Sequence, residues 1–303
     1  MITTAVGQCR VIVHVRSIFE PPMSLSVLKS IRSPEKIPHV NKVLAGCLSA
    51  PASWEIEQIK ALAILIGGQW SGGTLIGAML DAHPDIVIAT EFNLLQQFKN
   101  GLSLKQAARL MLFNARMFVR NGARWTGYKY DIPGQYQGRY RTLKIIGDKK
   151  AQSSAQLLYA NIGLIGELQE KYGRPVRLIH AVRNPYDTLA MMVLKQGVSM
   201  DQALESFEKI CDGAAFAYRR YPGQVLLIRQ EDLKKEPRHT IRRLMAFLET
   251  ECMDDYVKAC AAKIYAEPSR PRLSVQWTQA QRSRIDDLID RHEFLNGYAF
   301  DER

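Results

Sequence analysis

Two glycine pairs, Gly67-Gly68 and Gly72-Gly73, flank Gln69, Trp70 and Ser71, and Thr74 follows them. Glycine lets the backbone turn tightly. A turn that leads from a strand into a helix presents bare N–H groups and the positive end of the helix dipole. Ser71 and Thr74 add hydroxyls, so residues 69–74 read as a cradle for a phosphate or sulfate. The frame approaches the nucleoside-triphosphate loop G-x-x-x-x-G-K-[ST], but Gly73 stands where that loop needs lysine. Without the amine, the β- and γ-phosphates lose a main counter-charge, which disfavours an ordinary ATPase or kinase. Further along, Glu91 closes the apolar run Ile86–Thr90, Lys149 and Lys150 follow the run 143–147, and Arg183 follows Val176–Val182. A carboxylate takes the proton of an attacking hydroxyl. A lysine offsets charge on a leaving group. An arginine grips a phosphate with two N–H groups. Taken singly, each has a plainer reading: a glycine turn that binds nothing, solvated strand ends, and an ion pair of Arg183 with Asp187.

The elements that must carry these groups follow from periodicity. The short apolar run 61–66 has the length of a buried parallel strand. Leu75, Ile76, Met79 and Leu80 give the next segment an apolar helical face. Pro185 suits the first position of a helix after the 176–182 strand. Further strands are expected near 143–147 and at 224–229, and helices at about 151–172, 186–196, 201–220 and 237–249. Ser103 and Gly122 bracket a helix, and the aromatic, glycine-rich stretch after it reads as loop. Alternating strands and helices predict an α/β protein: a three-layer fold with a central, mainly parallel sheet flanked by helices. Residues 1–57 read as a peripheral extension and 58–303 as one domain, with a basic helical insertion at about 96–142 lying over the site.

Four stretches in order resemble the sulfotransferase family that uses 3'-phosphoadenosine 5'-phosphosulfate (PAPS). QWSGGTLIGAMLDAHPDI is similar to its 5'-phosphosulfate loop, HAVRNPYDTLAM to its 3'-phosphate motif, IIGDKKA to a lysine-bearing segment of Golgi-type and bacterial members, and RQEDLKKEPRHTIRRLMAFLE to its E-D-L-x-x-x-P segment. The pattern is nearest to the tyrosylprotein and bacterial branches. The resemblance implies a P-loop-type fold and sulfuryl transfer from PAPS to a hydroxyl or amine, with 3'-phosphoadenosine 5'-phosphate (PAP) as product and no metal. It implies that Ser71, Gly72, Gly73 and Thr74 hold the phosphosulfate, that Gln69 and Trp70 belong to the same cofactor-binding loop, and that Arg183 holds the 3'-phosphate. Arg270 and Arg272 are candidates to close over the nucleotide, Glu91 is the base, and Lys149 steadies the transferring group. Asp148 is expected to orient Lys149 or to cap the following helix. Three positions depart from the family pattern: Trp70 replaces a loop cation, Gly73 a hydroxyl residue, and Met191 a serine eight residues after Arg183. They leave open a catalytically weak or inactive PAPS- or PAP-binding member, or an atypical P-loop phosphotransferase.

The whole chain sets the bounds. Its 303 residues are 47% hydrophobic, enough for one large core. The formal net charge is +11. Residues 99–150 hold twelve lysines and arginines against Asp131 and Asp148, nearly the whole excess. Trp125, Tyr128, Tyr130, Tyr136 and Tyr140 interleave with those cations, which suits an anionic donor and a planar, sugar-like or phenolic acceptor. No nucleic-acid motif accompanies the charge. A small molecule, carbohydrate or peptide is therefore the expected acceptor. Five cysteines without C-x-x-C spacing suit a reducing compartment and no zinc site. No apolar run reaches membrane-spanning length and the first residues lack a leader's apolar core, so a soluble, cytoplasmic protein is expected.

Overall fold

The computed structural model describes residues 53–264 and 269–301. Almost all of the expected 1–57 extension, with Cys9 and Cys47, lies outside the described residues. A short helix α1 (Ser53–Glu57) leads into β1 (Ala61–Gly67), which is buried along its whole length. Then come α2 (Gly73–Asp81), β2 (Ile86–Thr90), α3 (Leu94–Lys99), α4 (Leu104–Arg120) and a two-residue hairpin, β3 (Arg124–Trp125) and β4 (Tyr128–Lys129). The core resumes with β5 (Ile145–Lys149), α5 (Ala151–Ala160), α6 (Leu164–Tyr172), β6 (Val176–Val182), α7 (Pro185–Gln196) and α8 (Met200–Arg220). It closes with β7 (Val225–Arg229), α9 (Gln230–Lys235), α10 (Pro237–Phe247), α11 (Asp254–Ala261) and α12 (Gln279–Arg291).

Five strands form one parallel sheet in the order β2-β5-β1-β6-β7. Alternate side chains of β1 enter two cores. Leu62, Ile64 and Ile66 pack among residues of α4, α5, α6, α8 and α12, while Ala63 and Leu65 pack among those of α2, α10 and α11. A strand buried on both faces must read as a continuous apolar run, as this one does. The result is the expected three-layer α/β architecture. Gly67 shows how tightly β1 fits. Its φ is 128°, and a Cβ there would lie 2.2 Å from the Ala181 carbonyl oxygen, so no side chain is tolerated where the strand turns out of the sheet.

Three local expectations need adjustment. The strand near 143–147 runs instead from Ile145 to Lys149, which puts Asp148 and Lys149 inside the sheet edge. The helix expected over 151–172 breaks at Asn161, whose side chain accepts a hydrogen bond from Gly163 N at 3.0 Å and turns the chain. The basic stretch also divides. Helix α4, with Ser103 in a capping box, packs against β2 as its crossover helix, and the segment that reaches the sheet's carboxyl edge is the hairpin.

Candidate active site

Open parallel sheets bind ligands beyond the carboxyl ends of their strands, and a cavity of about 600 Å³ lies there. β1 delivers the glycine loop to it. Gly72 takes a left-handed backbone (φ 88°) at the N-cap of α2, and no side chain caps the helix. An uncapped first turn leaves N–H groups without intrahelical partners, and Gly72, Gly73, Thr74 and Leu75 line the cavity. α5 starts in the same way, uncapped at Lys150, with Ala151, Gln152 and Ser153 on the wall. A Cβ on Gly73 would lie 3.9 Å from that of Ala151, so the two helix starts are neighbours. Two positive dipole ends on one cavity favour an anion. The side chains agree. Among the described residues, Lys129, Lys149, Lys150, Arg183, Lys234 and Lys263 line the cavity against a single lining carboxylate, Glu91.

Glu91 stands at the end of β2 with a left-handed backbone, φ 60°. Lys149 Nζ donates to its Oε1 at 2.5 Å, and Lys150 Nζ to its Oε2. Parallel pairing of Thr90 with Lys149 brings these groups together across the sheet edge. Burial works to raise the Glu91 carboxyl, but the charges and hydrogen bonds of the two lysines outweigh it and hold the group below its ordinary value. Lys149 is buried, and desolvation pulls its ammonium below the ordinary lysine value despite Glu91. Its Nζ also lies 5.3 Å from the Trp125 ring centroid, which ties the hairpin to the pair. An ionised carboxylate beside a partly desolvated lysine can accept a proton and steady a departing anion.

Arg183 follows β6 and is 7% exposed. Its Nη2 donates to the Ser269 carbonyl at 2.5 Å and lies 3.6 Å from Asp187 Oδ2. Asp187 is shared: Arg272 Nη1 donates to the same oxygen at 2.8 Å. Burial lowers the Arg183 guanidinium, opposed by Asp187 and Glu231 and reinforced by Arg272. Lys234 belongs to the same group, lowered first by burial and then by Arg183. The ion pair with Asp187 thus exists, but it is buried and it positions Arg183 on the cavity wall.

The sequence matches a family model described as "Sulfotransferase family" over residues 63–255, from β1 into α11. The chain belongs to the sulfotransferase family. Similar solved structures include several sulfotransferases. One is the sulfotransferase domain of the Synechococcus PCC 7002 olefin synthase, at 14% identity and TM-score 0.49, over 77% of this chain and 94% of that one. Another is a Mycobacterium avium sulfotransferase at 13% identity and TM-score 0.47, over 83% and 81%. A third is a mouse sulfotransferase complexed with PAP, at 14% identity and TM-score 0.47, over 81% and 93%. Comparison with curated proteins finds no significant match.

Within this family member, Gln69, Trp70, Gly72, Gly73, Thr74, Glu91, Lys149 and Arg183 all line one cavity. Ser71 does not. It is 2% exposed, and a Cβ on Gly68 would meet its Oγ at 3.3 Å, so its side chain turns into the loop. Neither tail arginine is on the wall. Arg272 is buried on Asp187, behind Arg183, and Arg270 is exposed. Trp70 lines the cavity with φ 57° and packs on the main core. Met191 shares the wall with Arg183. Asp148 caps a helix, but it is α3, which lies 54 residues earlier in the chain, and not the helix that follows it. Sequence reasoning missed Gln230, Lys234 and Lys263. Lys234 had a faint signal in the E-D-L-K-K run, while Lys263 had none. Glu231, in the same run as Lys234, accepts from Asn184 N at 3.2 Å and from Tyr298 Oη at 2.7 Å. Among the described residues no cluster of acidic, histidine and cysteine side chains is arranged to hold a metal, and no helix is long and apolar enough to cross a membrane.

Proposed function

We propose that the protein transfers a sulfuryl group from PAPS to the hydroxyl or amine of a small-molecule, carbohydrate or peptide acceptor. The observation that carries this is the Glu91–Lys149 pair beside two uncapped helix starts on one cation-rich cavity. The donor would bring several negative charges, and the described residues of the wall offer N–H groups and six cations to meet them. Backbone groups of the 69–74 loop and the Thr74 hydroxyl take the 5'-phosphosulfate. Arg183, steadied by Asp187, takes the 3'-phosphate, and Lys234, close enough to feel the charge of Arg183, adds a second cation. Arg272 acts through Asp187 and not by contact. Glu91 accepts the acceptor's proton as its oxygen or nitrogen attacks sulfur. Lys149 balances the charge that collects on the departing phosphate as the sulfur–oxygen bond breaks. Trp125 and Tyr128 present exposed rings at the cavity, on the side where an acceptor would enter.

Calorimetric titration with PAP, with ADP as the control, tests the donor assignment. Binding of PAP at least about tenfold tighter than ADP is expected, because ADP lacks the phosphate that Arg183 would hold. Absence of PAP binding would overturn the proposal. PAP binding without release of PAP from PAPS would instead favour a nucleotide-binding member without turnover, the reading to which Trp70, Gly73 and Met191 point.

A further inference from the structure

We propose that Asp148 is a positioning residue for Glu91: its buried carboxylate holds the backbone turn that aims the base at the two lysines. This rests on the reading of Glu91 as the base. Asp148 is fully buried in β5, beside Ile64 of β1 and Ala89 of β2 in the parallel register. A carboxylate among apolar strands is costly unless its oxygens are bonded. Here both oxygens are used on one short segment. Phe92 N donates to Oδ1 at 3.1 Å and Leu94 N to Oδ2 at 2.8 Å. Those amides bracket Asn93. Glu91 and Asn93 both hold left-handed backbones, at φ 60° and 63°, a region that non-glycine residues adopt only when their surroundings compel it. Asn93 sits at the N-cap of α3, yet its side chain makes no capping bond and its Oδ1 is buried without a partner. The work of an N-cap is therefore done from a different strand. That strand also carries Lys149, one residue on, whose carbonyl accepts from Glu91 N at 3.1 Å. One strand end thus sets both members of the catalytic pair.

The charge state supports the assignment. Burial raises the Asp148 carboxyl to about 7, against the two amide bonds that lower it. The charged groups acting on it are Glu91, which raises it, and Lys149, which lowers it. Above that pH the carboxylate accepts both amide bonds, and below it the protonated group holds the turn less well. A residue that served only to start α3 would not be coupled to turnover.

The test has two arms. In the first, hydrogen exchange of the Phe92 and Leu94 amides is followed in the wild-type protein between pH 6 and 8. Protection is expected to rise through a midpoint near 7, once the intrinsic pH dependence of exchange is removed. Phe92 and Leu94 amides that exchange as fast as unprotected ones at pH 8 would overturn the proposal. In the second, Asp148→Asn is compared with wild type for PAP affinity by calorimetry and for PAP release from PAPS, with 2-naphthol and with water alone as acceptor. The variant is expected to bind PAP as wild type does and to keep the KM for PAPS. It should lose about tenfold or more in kcat and lack the acid limb near pH 7. Wild-type kcat in a folded variant would overturn the proposal. If the variant does not fold, the first arm decides. If wild type releases no PAP while the amides titrate as expected, the sulfotransferase reading has failed and the clamp stands.

Discussion

Glu91→Gln tests the proposed base, because glutamine keeps the shape while it removes the charge and the proton affinity and turns one acceptor oxygen into an NH2 donor. General-base contributions run from about 10²- to 10⁴-fold, so kcat should fall by that range, about 3–5 kcal/mol of barrier. The structure sets a second magnitude. Glu91 is the salt-bridge partner of Lys149, whose side chain is 7% exposed. Removing one member of a buried pair costs about 3–5 kcal/mol. The Glu91 side chain is 21% exposed, however, and the glutamine oxygen still accepts one lysine bond, which reduces the cost to about 1–2 kcal/mol. A fall of a few degrees in Tm is therefore expected. Loss of the carboxylate also removes what raises the Lys149 ammonium, so that group shifts further down. PAP affinity should be kept or improved, since a negative charge leaves a wall that faces an anion. The assays are PAP release under saturating PAPS, calorimetry with PAP, and a thermal melt. Turnover within about threefold of wild type in a folded variant would refute the assignment of Glu91 as base.

Two further changes probe other parts of the site. If Arg183 holds the 3'-phosphate as proposed, Arg183→Ala removes a charge-assisted contact worth about 3 kcal/mol, so PAP should bind about 100-fold more weakly while ADP binding barely changes. Arg272 stays on Asp187 at 2.8 Å and protects the fold, so equal losses for PAP and ADP would contradict the 3'-phosphate role. Gly67→Ala forces a Cβ to within 2.2 Å of the Ala181 carbonyl, at a φ of 128°, and should lower stability by about 3 kcal/mol or more, read as an early urea midpoint. An unchanged midpoint would mean that β1 and β6 separate more easily than their register implies.

What the linear chain determined by itself is the scaffold and the type of chemistry. The apolar run of β1 has the length of a strand buried on both faces, the glycines after it permit a tight turn, and Ser103 and Pro185 suit the helix starts at which they stand. These are local effects of side-chain size, backbone freedom and hydrogen bonding, so they are legible without the fold. The same holds for Glu91, Lys149 and Arg183, each of which ends a recognisable strand, because a parallel sheet sends all its strand ends to one edge. The tertiary structure decided everything that depends on which strands become neighbours. The pairing of β2 with β5 joins Glu91 to Lys149 and Lys150 across 58 and 59 residues of chain. The same pairing makes Asp148 the cap of a helix that starts 54 residues before it. Arg272, basic and close to the end of the chain, was indistinguishable by sequence from a nucleotide ligand. Only the fold shows its guanidinium committed to Asp187, because the partner that claims a buried charge is set by three-dimensional proximity and not by spacing.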